Sequence, residues 1–84
     1  MEYNVAAHVK IYVEDPSSMG GVKEEIGKLV KVQEFKEEDV GFGIKVLKAT
    51  FLMNDSEGGM DELEEKIKNL NNVSQVEVES ISRV

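Results

Sequence analysis

Residues 40–55 read VGFGIKVLKATFLMND, and how this stretch is parsed decides the fold. Its first half holds an aromatic, Phe42, between Gly41 and Gly43. Glycines on both sides let the backbone turn without a Cβ penalty. A large ring at such a turn does not fold back easily into a core. The second half alternates. Leu47, Ala49, Phe51 and Met53 fall on one side of an extended chain; Val46, Lys48, Thr50 and Leu52 fall on the other. Period two marks a strand with one buried face, and the first set is assigned to the core. The second set is less polar than an ordinary solvent face, which points to contact with something else. Two readings of Phe42 stand at this point: a ring covering an edge of the core at a hairpin, or a ring offered to a partner.

Upstream, residues 4–13 alternate as cleanly. Val5, Ala7, Val9, Ile11 and Val13 point one way, and Ala6, His8, Lys10 and Tyr12 the other. Pro16 with Ser17 and Ser18 breaks that strand and starts a helix. Met19, Val22, Ile26, Leu29 and Val30 then recur at helical spacing. Gly20, Gly21 and Gly27 weaken this helix, its beginning more than its end. Residues 32–38 read as a weaker strand with Phe35 as its core contact, and the charged run 36–39 suits an edge strand. Downstream, residues 54–59 (NDSEGG) form a loop. Met60, Leu63, Ile67 and Leu70 make a helical stripe, with acids in the first turns and Lys66 and Lys68 in the last, an order that complements the helix dipole. Residues 73–84 close the chain as a strand, Val76 and Val78 inward. Ile81 is out of phase with that pair, which predicts a bulge or a strand leaving the sheet.

The order is therefore β-α-β, a tight turn, and β-α-β. Matched halves of this kind predict the split βαβ plan, a ferredoxin-like α+β sandwich with a four-stranded antiparallel sheet. Both helices pack on one face, and the expected strand order is 4-1-3-2. The other face is open and displays His8, Lys10, Tyr12, Val46, Lys48, Thr50, Leu52, Glu77 and Glu79.

Eighty-four residues are read as one domain, 1–84. No cysteine is present, so a disulfide framework, a thiolate zinc site and a thiol nucleophile are excluded. No apolar run approaches the ~20 residues of a membrane span, and the first ten residues do not read as a signal peptide. A cytoplasmic protein is expected. Seventeen acids against ten lysines and arginines give a net charge of −7. Phosphate repulsion then opposes direct contact with nucleic acid or an anionic membrane, and a basic protein partner is favoured.

Catalytic chemistry is not assembled. One histidine without cysteine does not supply a nucleophile–base–orienter set, so no catalytic residue, metal ligand or cofactor is expected. From Asp55, a calcium loop needs glycine at position six and glutamate at twelve, where Met60 and Lys66 stand. The Gly41–Gly43 pair fails as a dinucleotide fingerprint because Val46 takes the third glycine's place and the element opens a strand. An RNA-recognition motif shares the plan and carries a Gly-aromatic-Gly-aromatic pattern, but Ile44 replaces the second aromatic here. That RNA-binding module, and a small-molecule regulatory domain of the same topology, are the alternatives.

From residue 40 onward the chain resembles the translation elongation factor 1-beta family in its archaeal form, and the C-terminal exchange domain of its eukaryotic form. The Gly-Phe-Gly turn followed by Ile44 and Lys45, the alternating strand, the acidic loop at 54–59 and a terminal strand ending in a basic residue carry the resemblance. The resemblance implies a guanine-nucleotide exchange factor for the GTPase elongation factor 1-alpha, monomeric when free. It implies a partner-binding set of Gly41, Phe42, Gly43, Lys45 and Arg83, with the C-terminal end reaching toward the GTPase's magnesium site. Arg83 stands where the eukaryotic form carries a penultimate lysine. Both are cations, one a planar fork and the other a compact point charge.

Overall fold

The computed structural model describes residues 3–42, 44–54 and 60–83. Strand β1 (Val5–Val13) leads through a 3-10 turn at Pro16–Ser18 into helix α1 (Met19–Leu29). Strands β2 (Lys31–Gly41) and β3 (Ile44–Met53) form a hairpin, and helix α2 (Met60–Lys68) leads to strand β4 (Val73–Arg83). The sheet runs β2-β3-β1-β4 with every neighbouring pair antiparallel, the expected order read from its other edge.

Local chemistry sets the element ends. Asp15 Oδ1 accepts from the Ser17 backbone N–H at 3.0 Å and from the Ser17 hydroxyl at 2.8 Å, so the chain leaving β1 is tied before α1 begins. Val30 adopts an extended conformation while its N–H still donates to the Ile26 carbonyl at 3.2 Å, which closes α1. After α2, Asn72 takes a φ of 70°, a left-handed conformation that asparagine tolerates. In α2, Lys66 pairs with Glu62 at 3.5 Å, the expected four-residue spacing. In α1, Lys28 pairs with Glu25, three residues before it, at 3.2 Å.

The core is one layer between sheet and helices. Val9, Ile11 and Val13 from β1, Leu47, Ala49 and Phe51 from β3, and Val76 from β4 meet Met19, Val22 and Ile26 of α1 and Leu63 and Ile67 of α2. Phe51, at the centre of the best-alternating strand, is wholly buried. Among the described residues no helix covers the far sheet face. Val46 on it is nevertheless wholly buried, lying in register between Tyr12 and Glu38 of the neighbouring strands.

Two details differ from or sharpen the sequence reading. β2 extends to Gly41, beyond residue 38, because as an edge strand it needs only half-buried Val32 and Phe35 to hold it while its charged end still pairs with β3. In β4 the register with β1 shifts between His8 and Val9, leaving Glu79 as the extra residue. This is the expected bulge. Beyond it Ile81 pairs with Ala7 and Arg83 with Val5, on the face that the helices cover.

Candidate functional site

The β2–β3 hairpin presents the Gly-Phe-Gly turn at one end of the sheet. Gly41 pairs with Ile44, and Asp39 with Lys45, so Val40 is the extra residue of a bulge beside the turn. Gly41 has a φ of 93°, which a side chain disfavours, and its N–H donates to Asp39 Oδ1 at 2.9 Å. Phe42 follows with a φ of 56°. Its exposure is 102% of that of a free residue, so the ring lies on nothing. Of the two sequence readings, the edge-covering ring is therefore eliminated. Gly43 lies outside the described residues.

A large apolar side chain at this place carries two costs at once. A left-handed backbone costs an L-residue roughly 1–2 kcal/mol, and a fully wet ring gains nothing from burial. Val40 and Ile44, on either side of the turn, are also largely exposed, at 46% and 42%. Sequence reasoning did not single them out as site residues. The available signal was the apolar character of the second β3 face, to which Ile44 belongs by alternation.

Lys45 is half-buried, with Nζ 3.9 Å from Glu37 Oε1. Glu37 also accepts a hydrogen bond from Lys23 of α1. That bond, joined by the charges of Lys23 and Lys45, lowers the Glu37 carboxyl below its ordinary value. Lys23 in turn lies 5.9 Å from the centre of the Phe35 ring. Lys45 is thus held by an ion-pair network beneath the turn.

Arg83 is exposed and lies at the opposite end of the sheet. Val5 pairs with both Arg83 and Met53, whereas Val13 pairs with Lys45. The ten-residue β3 separates the two ends by about 30 Å at ~3.3 Å per residue. The structure brings Gly41, Phe42 and Lys45 together and sets Arg83 apart.

The open sheet face has its own pattern. Lys36, Lys48 and Lys10 stand in one cross-strand row. Lys48 reaches Glu38 at 3.7 Å and Lys10 reaches Glu79 at 3.9 Å. One rung on, His8 Nδ1 lies 3.2 Å from the Thr50 hydroxyl, beside a shallow cavity of about 140 Å³ lined by Glu34, Lys36, Lys48 and Glu79. Cations and carboxylates balance around it, so it does not concentrate charge of one sign. Among the described residues no group of His, Asp and Glu could hold a metal ion, and no helix is long and apolar enough to cross a membrane.

The fold is that of a small α+β domain that carries an exposed apolar turn. The family model of the EF-1 guanine nucleotide exchange domain matches residues 7–84, and the chain belongs to that family. Among its relatives, elongation factor 1-beta of Aeropyrum pernix is 38% identical over 86 residues, covering 95% of this chain and 96% of that one. Elongation factor 1-beta of Pyrococcus abyssi is 33% identical, covering 99% and 98%. Solved structures share the fold at low identity. The C-terminal domain of MgtC from Mycobacterium tuberculosis superposes with a TM-score of 0.72 at 14% identity, covering 100% of this chain and 92% of that one. The ACT domain of GTP pyrophosphokinase from Chlorobium tepidum superposes with a TM-score of 0.67 at 16% identity, covering 90% and 99%.

Proposed function

We propose that this chain speeds GDP release from elongation factor 1-alpha, docking through the Gly41-Phe42-Gly43 turn and Lys45 and offering Arg83 to the region of the bound Mg²⁺ and phosphates. The family membership supports an exchange role. The observation that carries the docking reading is the Phe42 ring, wholly exposed on a left-handed backbone. A docking partner can repay both costs by burying the ring.

The physics of exchange follows from linkage. In a GTPase the phosphate-binding loop and Mg²⁺ hold the nucleotide. A protein that disturbs either weakens nucleotide binding, and nucleotide must weaken that protein's binding by the same factor. No bond is made or broken. A cation near the Mg²⁺ site competes with the ion most strongly where water is excluded. With Phe42 and Arg83 at opposite ends of the sheet, docking and disturbance act at two separate points on the GTPase.

The test is release of fluorescent GDP from the cognate elongation factor 1-alpha, with and without this protein, over a series of Mg²⁺ concentrations. Acceleration is expected at every concentration. Release at the intrinsic rate throughout would reject the reading.

A further inference from the structure

The exposed ring is not isolated. Val40, Phe42 and Ile44 are three of the five large apolar side chains exposed among the described residues, and all three lie within one five-residue segment. The other two are Leu29, at the end of α1, and Ile81, on β4. Scattered exposed apolar residues are ordinary, but a contiguous group marks a contact surface. This group also has a direction. Ile44 shares the open sheet face with Val46, and Val46 pairs with Tyr12. Half-buried Tyr12 and wholly buried Val46 continue the apolar surface from the hairpin onto that face. On the other face, the hairpin base is occupied by the charged group of Glu37, Lys23 and Lys45.

Acids predominate around this ridge, where the neighbouring cation of the open face, Lys48, pairs with Glu38 at 3.7 Å. Asp39 and Glu38 lie on the β2 side, and Glu38 stands in register beside Val46. Glu14 and Asp15 follow Val13 at the same end of the sheet, where the Glu14 N–H donates to the Asn72 carbonyl at 2.8 Å. Glu14 and Asp15 are exposed.

We infer that the docking surface is an apolar ridge of Val40, Phe42 and Ile44 running onto the open sheet face as far as Tyr12, and that its occupant is an apolar cleft with a basic rim on the GTPase. This rests on the exchange reading above and adds the shape and charge of the surface it contacts. Charge complementarity selects that occupant: an acidic collar repels an acidic rim and steers a basic one. The apolar residues hold the complex after docking, while the collar acts on encounter.

The experiment measures association and dissociation rates, and GDP release, with the cognate elongation factor 1-alpha. Val40→Ser with Ile44→Ser should raise the dissociation rate about tenfold or more, with circular dichroism unchanged. Leu29→Ser, at the far end of α1, should leave both rates unchanged. Glu14→Lys with Glu38→Lys should slow association several-fold at low salt, and the difference should vanish at high salt. If the serine pair unfolds the domain, a photo-crosslinker at residue 40 decides the same point: it must capture the GTPase, and failure to do so overturns the ridge. A serine pair that folds and dissociates at the wild-type rate also overturns it. Association that is unchanged or faster in the lysine pair overturns the basic rim. If the wild-type protein neither binds nor promotes release, the exchange reading falls with the inference; if only the variants behave as wild type, the inference falls alone.

Discussion

Replacing Phe42 with asparagine should make the protein more stable and less active. The ring contributes no burial to the folded domain, and its φ of 56° is one that phenylalanine pays to adopt. Asparagine enters that region several-fold more readily, as Asn72 does elsewhere in the chain. Relief of about 0.5–1 kcal/mol is expected from the strain alone, a rise in Tm of about 2–8 °C for a domain of this size. Phe42→Gly should gain less, because glycine also enlarges the unfolded ensemble by about 0.4–1 kcal/mol. Burying a phenylalanine side chain on docking gains about 1.5–3 kcal/mol, so Phe42→Asn should lower the apparent second-order rate of GDP release about 10- to 100-fold. Thermal unfolding by circular dichroism and stopped-flow release of fluorescent GDP read the two effects separately. A lower Tm in Phe42→Asn would show that the ring supports the fold. Unchanged release would show that it does not dock.

Arg83→Ala should slow GDP release while reducing binding to the nucleotide-free GTPase less, and Arg83→Lys should retain part or all of the activity; release measured across Mg²⁺ concentrations checks this, and equality of Arg83→Ala with wild type at all of them would make the charge incidental. Glu37→Gln should destabilise the domain near neutral pH. Because the Glu37 carboxyl is lowered from its ordinary 4.5 by Lys23 and Lys45, its contribution is present above that value and disappears as pH falls through the lowered one. The Tm difference between wild type and variant should therefore close at strongly acid pH, and a difference that persists there would point to lost packing instead. Gly27→Ala should stabilise by about 1 kcal/mol, since a methyl at that helical position meets nothing within 4 Å; a fall in Tm would contradict it.

The fold was legible because β1 and β3, its two central strands, alternate without interruption. Both pair on two sides, so the inward positions Ala7, Val9, Ile11 and Val13 of β1 and Leu47, Ala49 and Phe51 of β3 are covered and apolar. β2 was harder to delimit because its buried positions are sparse, with only Val32 and Phe35 half-buried in eleven residues. Hydrogen bonds to β3, which leave no trace in hydropathy, carry it to Gly41. The site was legible in part. A ring between two glycines left exposure and edge-covering both open until the family resemblance favoured exposure, and Val40 read as part of the turn and Ile44 as an ordinary strand residue, since a sequence does not show where the covering helices stop. The separation of Phe42 from Arg83 is a property of the topology, in which the hairpin turn and the end of β4 lie at opposite ends of β1.

The extra residue at Glu79 has a consequence for how the chain can change over time. Continuous alternation from Val76 and Val78 would put residues 81 and 83 on the uncovered face; one additional residue transfers both to the helical side. The aim of the terminal cation thus rests on the bulge and not on any particular side chain. Many substitutions at position 79 can preserve it. A strand shorter by one residue between Val78 and Arg83 would bring the charge to the same side by unbroken alternation, with no bulge at all. Among descendants of this chain, the length of the last strand and the presence of its bulge should therefore change together.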